Sequence, residues 1–264
     1  MRVLSVTYSE NPVRLGSHYH DAHQLLYVEA GSVEVNIDGE PHRVEAGELV
    51  ILSRFEEHSV RVLTPIYKRY ALRLSAEDGE SHGEDYLLSS VLVNRTAQFR
   101  HVVRAEALKE TFRSMVCEFG DNGPMREEML ALYLKQLFIL LYRCAPYLFP
   151  SSVNRNALLV RAVQKRFEED CSQSFTLGSL AAEYHVSPSY FAHLFKETTG
   201  YAPIEYLMLC RLSTAKRYLC DTELAVKEIV ERCGFSDESN FSRTFKARTS
   251  MTPSAFRQKY GKKS

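Results

Sequence analysis

Phe191-Ala-His-Leu-Phe195-Lys196 returns as Phe241-Ser-Arg-Thr-Phe245-Lys246, and the residues around the two hexapeptides return with it. Ser189 and Ser239, Thr199 and Thr249, and Pro203 and Pro253 all stand 50 residues apart. A fixed offset that matches apolar to apolar and polar to polar is one supersecondary unit used twice. Two related helical units on one chain suit a partner that is itself long and regular, and DNA is such a partner.

Each copy reads as two short helices joined by a tight turn. In the first, Thr176–Tyr184 is amphipathic, His185-Val186 turns the chain, and Ser187 caps a helix whose first residue is Pro188. That helix buries Phe191, Leu194 and Phe195 and stops at Gly200. In the second, Ala225–Cys233 leads through Gly234-Phe235-Ser236 to a helix capped by Asp237, a turn one residue longer. Between the copies, Pro203–Leu219 is a continuous helical pattern that would hold the two units at a fixed separation. This is a doubled helix-turn-helix.

The second helix of each unit is expected to enter the major groove, with its phenylalanines turned to the core. The DNA-facing set is then Ser187, Ser189, Tyr190, Ala192, His193 and Lys196 in the first unit. In the second it is Glu238, Ser239, Asn240, Ser242, Arg243 and Lys246. Arg243 has the geometry for bidentate contact with guanine, and Glu238 can accept from a cytosine amine. Lys196 and Lys246 follow a buried Phe and suit phosphate. Each of these side chains is equally compatible with a solvated surface position.

Gly234-Phe-Ser-Asp-Glu-Ser-Asn-Phe-Ser-Arg-Thr-Phe-Lys246, followed by Met251-Thr-Pro-Ser-Ala-Phe-Arg257, resembles the signature of the AraC/XylS family of bacterial transcription regulators. Phe191, Phe195, Lys196, Gly200, Pro203 and Tyr206, with Arg211-Leu212 and Ala215-Lys216, support it over residues 157 to 260. The resemblance implies two helix-turn-helix units joined by a linker helix and reading adjacent segments of promoter DNA. Ser250 departs from it, standing where the family has glycine, and is expected to strain or shorten the helix end.

Residues 1 to 80 have a different texture. Gln24–Glu29, Ser32–Ile37, His42–Val44, Leu49–Leu52, Ser59–Leu63 and Tyr67–Leu74 are short strand patterns, with Gly31, Asp38-Gly39 and Gly47 at the turns. Many short strands with glycine turns argue for a small barrel or jelly roll. His18-Tyr-His20, then Gln24, then His58 is similar to the cupin pattern, in which metal-binding members carry a glutamate where Gln24 stands here. Three readings remain open: a metal-free effector pocket, a metal-bound sensor using His18, His20 and His58, and a cupin enzyme fused to a DNA reader. The amide is a poorer ligand than a carboxylate and no catalytic base is evident, so no catalytic residue, metal or cofactor is assigned. The expected effector-binding residues are Arg14, His18, His20, Gln24, His58 and Tyr70; Tyr27, Tyr67 and Arg73 are further candidates.

Ala105–Phe119 and Met125–Tyr147 have helical periodicity and form a hairpin over residues 81–148. Met129, Leu130, Leu134, Leu137, Phe138 and Leu141 make one broad apolar face, which either covers the barrel or joins two copies. Residues 149–156 have the Pro, Ser and Asn content of a linker, and 157–264 form the DNA-binding domain. The expected architecture is therefore α+β and multidomain: a cupin-like barrel with a helical hairpin, then an all-α double helix-turn-helix.

Composition sets the remaining bounds. The 264 residues carry 33 basic and 33 acidic side chains, but from Arg155 onward the count is 17 basic to 12 acidic. The excess is modest and on the side that phosphate binding needs. The six cysteines share no C-x-x-C spacing, as in reduced cytoplasmic proteins, and no apolar run reaches membrane length. Expected partners are double-stranded promoter DNA, a sugar or small carboxylate, and a second copy of the chain, with RNA polymerase a further candidate and no membrane.

Overall fold

A computed structural model describes residues 2–10, 15–18, 20, 22–75, 90–92, 98–121, 123–149 and 155–261, with backbone alone at 15–17. The chain divides into two compact units, Met1–Asn154 and Arg155–Ser264.

In the first unit, period-two alternation builds two antiparallel sheets. Strands β1 (Val3–Glu10), β8 (Lys68–Leu74), β3 (His23–Ala30), β6 (Glu48–Leu52) and β9 (Val102–Arg104) form one; β2 (Leu15–His18), β7 (His58–Val62), β4 (Ser32–Ile37) and β5 (Glu40–Glu45) form the other. Leu26 and Val28 of β3 join Val33, Val35, Ile37, Val44, Val50, Leu52 and Val60 in a core between the sheets. Leu25 and Tyr27, one residue out of step, point to the opposite face. The jelly roll expected from the strand patterns is thus present.

Two turns show why glycine is placed where it is. Asp38 (φ 49°) and Gly39 (φ 93°) are both left-handed, as a two-residue hairpin turn requires. Gly31 has φ 82°, and a Cβ there would lie 2.0 Å from the Ile66 carbonyl oxygen.

The sheet does not end at residue 80. β9 lies in the segment assigned to the helical hairpin and pairs with β6, Leu49 opposite Val103. Three residues carry no readable periodicity, which is why the sequence pattern missed it.

A 3-10 turn (Glu106–Leu108) leads into α1 (Lys109–Gly120), and α2 (Arg126–Cys144) returns. Leu130, Leu134, Leu137, Phe138 and Leu141 of α2 and Phe112 and Met115 of α1 are buried in one core with Leu25, Tyr27, Leu49, Ile51, Leu72 and Leu74. The broad apolar face of the hairpin therefore covers the sheet and is not free to join two copies. Leu132, Ile139 and Tyr142 remain exposed on α2.

The second unit is helical. α3 (Arg155–Glu169) begins inside the stretch assigned to the linker, so residues 155 and 156 belong to the helix. α4 (Leu177–Glu183), α5 (Pro188–Thr199), α6 (Pro203–Asp221), α7 (Val226–Arg232), α8 (Glu238–Thr249) and α9 (Pro253–Tyr260) follow. N-caps set the starts: Thr176, Ser187, Asp237 and Thr252 accept from the backbone N–H of Ser179, Tyr190, Asn240 and Ala255. Such a cap contributes about 1 kcal/mol each.

Candidate functional site

The repeat holds at the level of atoms. Phe191 packs on Phe195 and Phe195 on Tyr206 (ring centroids 5.8 and 5.7 Å); 50 residues on, Phe241 packs on Phe245 and Phe245 on Phe256 (5.5 and 5.3 Å). All four helix phenylalanines are fully buried, so the opposite faces of α5 and α8 are what a partner meets. α6 serves both cores. Tyr206 near its start contacts Phe195 and Phe167, while Leu212, Ala215 and Leu219 pack with Ile229, Phe241 and Phe245.

The two turns are not identical. Four residues separate α4 from α5 and five separate α7 from α8. The left-handed position is His185 (φ 56°) in the first and Gly234 (φ 73°) in the second. Glycine is required at the second, where a Cβ would stand 2.4 Å from the Ser172 carbonyl oxygen.

On α5, Ser187, Ser189, Tyr190, His193 and Lys196 are exposed and Ala192 is half-buried. Ser187 is committed to its cap, and the Tyr190 hydroxyl accepts from Asn156 Nδ2 at 2.9 Å, which ties α5 to α3. His193 Nε2 lies 3.3 Å from Glu197 Oε1. On α8, Glu238, Ser239, Arg243 and Lys246 are exposed, and Asn240 and Ser242 are half-buried. Asp237 lies near Arg243, and its carboxyl is held below the usual range by the Asn240 backbone N–H and then the Ser236 hydroxyl.

Ser250 ends α8 with φ 59°, the same left-handed cap that Gly200 makes for α5 at φ 85°. Both helices run twelve residues, so serine does not shorten the helix. It carries strain of about 1 kcal/mol that glycine would not.

In the first unit, His18, His20 and His58 converge. Their ring centroids are 4.5 Å (His18–His58), 4.8 Å (His20–His58) and 5.3 Å (His18–His20) apart. One nitrogen from each lies within 4.8 Å of the others. β2 and β7 bring two of them together, since His18 pairs with His58 across the ladder. The neutral imidazole is favoured at His20 and His58, whose pKa values fall to about 3. The largest cause at both is burial. The neighbouring histidines and Arg73 add to it, and Arg69 acts on His58.

Gln24 shares the β3 face of Leu26 and Val28 and pairs with Arg73 of β8. Its Oε1 is buried without a hydrogen-bond partner. Arg69 and Arg73 alternate with Tyr70, Leu72 and Leu74 and share the face of Ala71. Arg69 stands over the Tyr67 ring at 6.0 Å, and its Nε is buried without an acceptor. Arg69 was not among the expected residues, although the alternation of Tyr67–Leu74 contains it.

Tyr70 is a correction. It faces the helices, with its ring 5.8 Å from Phe112 and its hydroxyl 3.5 Å from Glu29 Oε1. A shift of one residue along a strand exchanges the faces, so Tyr70 cannot join the histidines. Arg14 lies outside the described residues.

These donors fit a borderline divalent ion. The three imidazoles would hold it, and Gln24 Oε1 offers a neutral donor in place of the carboxylate of metal-binding cupins.

Residues 180–259 match the model of a helix-turn-helix domain, and residues 5–66 match that of a cupin domain. The HTH-type transcriptional activator RhaS of Klebsiella pneumoniae is 25% identical over 254 residues, covering 91% of this chain and 87% of that protein. RhaS of Escherichia coli K12 is 23% identical with the same coverage. The HTH-type transcriptional regulator YijO of Escherichia coli K12 is 35% identical over 109 residues, 41% of this chain and 38% of that one. Both domains are similar to those of AraC/XylS regulators. The chain is a sequence-specific DNA-binding transcriptional regulator with a cupin-like sensor domain. The fold of this regulator is similar to that of ToxT from Vibrio cholerae, with a TM-score of 0.63 at 11% identity over 98% of each chain. No described helix is long and apolar enough to cross a membrane.

Proposed function

We propose that the regulator senses a small carboxylate or sugar-like molecule in the barrel and acts on promoter DNA as a cytoplasmic homodimer, with RNA polymerase as a further partner. The observation that carries the effector reading is the convergence of His18, His20 and His58 beside a face bearing Gln24, Arg69 and Arg73. A hydrophobic interior otherwise excludes such groups, and two of their buried polar atoms lack partners. The exposed stripe of Leu132, Ile139 and Tyr142 on α2 is the surface proposed for the second copy. α5 and α8 enter successive major-groove segments, with Arg243 reading a base and Lys196 and Lys246 touching phosphate.

The reading is tested by a thermal-shift screen of the metal-stripped chain against sugars and small carboxylates. A ligand that binds the folded barrel raises the melting temperature by mass action. The shift is expected to vanish in His20→Gln and to persist in Tyr70→Phe. Equal shifts in wild type and His20→Gln would place the ligand elsewhere.

A further inference from the structure

The two copies of the repeat disagree at one pair of positions. Arg243 of α8 stands where α5 has His193, and Ala247 stands where α5 has Glu197. The two differences go together. Arginine is always charged, and no acid follows Arg243 one helical turn later. Histidine is charged only when protonated, and here an acid is supplied. His193 Nε2 lies 3.3 Å from Glu197 Oε1, with both side chains exposed.

Stability does not account for Glu197. It lies in the last turn of α5, where the helix dipole disfavours a negative charge. Phosphates disfavour it again on a helix that faces a duplex. An exposed ion pair returns little to the fold. A carboxylate here gains most by holding a cation against the DNA. Among the described residues Glu197 is the only charged partner of His193. Lys196 is the other charge beside it on α5, and His185 lies in the turn before the helix. On the elements packed against α5, Glu183 of α4 meets Arg166, and Arg161 and Lys165 of α3 meet Glu168 and Glu169. On α6, Glu205 meets Arg248, Arg211 donates to the Cys171 and Gln173 carbonyls, and Lys216 and Arg217 lie over Phe256 and Tyr218. Arg155 at the start of α3 and Asp221 at the end of α6 complete the set.

We propose that His193 and Glu197 form one proton-linked reader, in which Glu197 holds one ring N–H and the imidazolium donates through its other nitrogen to a guanine edge. This rests on the reading that α5 enters the major groove. Guanine offers only acceptors there, N7 and O6. With Nε2–H turned to Glu197, a neutral ring presents the Nδ1 lone pair, which guanine repels. A charged ring presents Nδ1–H, which guanine accepts. The complex therefore takes up a proton that the free chain does not need. By linkage, its affinity rises as pH falls through the histidine range of about pH 5–8 and is lost as pH rises through it. Glu197 then determines specificity without touching a base.

The test uses the full chain and a random-sequence duplex pool, selected at about pH 6 and about pH 8 at one salt concentration. Guanine is expected at one position of the first sub-site at the lower pH and is expected to be lost at the higher. On the duplex recovered at the lower pH, affinity should fall by up to about tenfold over one pH unit, as uptake of a single proton requires. His193→Gln should show a flat profile, and His185→Gln should keep the slope. His193→Arg, with a permanent charge like that of Arg243, should select guanine at both pH values. Glu197→Gln should bind more tightly than wild type at about pH 8 and show a flatter profile. His185, His193, Lys196 and Glu197 are all exposed, so their variants should fold. A flat wild-type profile would overturn the proposal, as would a wild-type slope in His193→Gln or Glu197→Gln. If His193→Gln and Lys196→Ala both bound as wild type does, α5 would be off the DNA, and the reading beneath the proposal would fall with it.

Discussion

Thr199 and Thr249 make the same hydrogen bonds 50 residues apart. Each hydroxyl donates to the carbonyl four residues back, Phe195 or Phe245, at 2.8 Å, and accepts from the backbone N–H two residues ahead, Tyr201 or Met251. The bond clasps the last turn of each recognition helix to the chain that starts the next helix. What differs is the residue inside the clasp, Gly200 in one copy and Ser250 in the other.

That difference predicts a stabilising substitution. Ser250→Gly removes the cost of a side chain at φ 59° while keeping the clasp. The chain should gain about 1 kcal/mol, read as a higher urea midpoint for the second unit. An unchanged midpoint would mean that the local backbone relaxes the strain at no cost.

Gly234→Ala should act in the opposite direction. Its φ of 73° and the 2.4 Å approach to the Ser172 oxygen leave no room for a methyl group. A loss of about 1–3 kcal/mol is expected, seen in the same unfolding experiment. Phe245→Ala, which empties a fully buried ring site, should cost about 3–5 kcal/mol.

On DNA the two classes of contact separate by salt. Arg243→Ala should weaken binding by about 1–3 kcal/mol and relax preference at one base pair. Lys246→Ala should weaken all sequences alike and reduce the slope of log K against log salt by about 0.9. Gel-shift titrations at several salt concentrations measure both, and a base-specific effect from Lys246→Ala would reverse the assignment.

Asp237 gives a pH dependence. Its folded pKa is depressed, so its contribution is present at neutral pH and is lost as pH falls below about 4, through the depressed value. Asp237→Asn keeps an N-cap that does not titrate. Unfolding of the variant should therefore depend less on pH than wild type in that range, and parallel curves would show that the carboxylate charge is irrelevant.

Much of this was legible in the sequence because it is periodic. The repeat placed α5 and its glycine stop, and the alternation in Ser32–Ile37 placed β4 to the residue. Spacing also brought out His18, His20 and His58 before their rings were seen to meet. Tyr70 was misplaced because composition marks a tyrosine as a ligand contact while register alone decides its face. β9 was missed because it is a strand only by virtue of the β6 edge beside it. The partnerless atoms of Gln24 and Arg69 could not be read at all, since a missing contact leaves no trace in a linear pattern.

α6 has a consequence for the operator. Its nineteen residues make a rod of about 28 Å, with one unit built onto each end. A rod does not stretch, so the two sub-sites it addresses must keep their distance and their phase along the duplex. Base changes between them should be tolerated. A single inserted base pair would turn one sub-site away by about a tenth of a turn, and half a turn of insertion would move it to the far side. The promoter's spacing is then as much a part of its recognised sequence as any base that Arg243 touches.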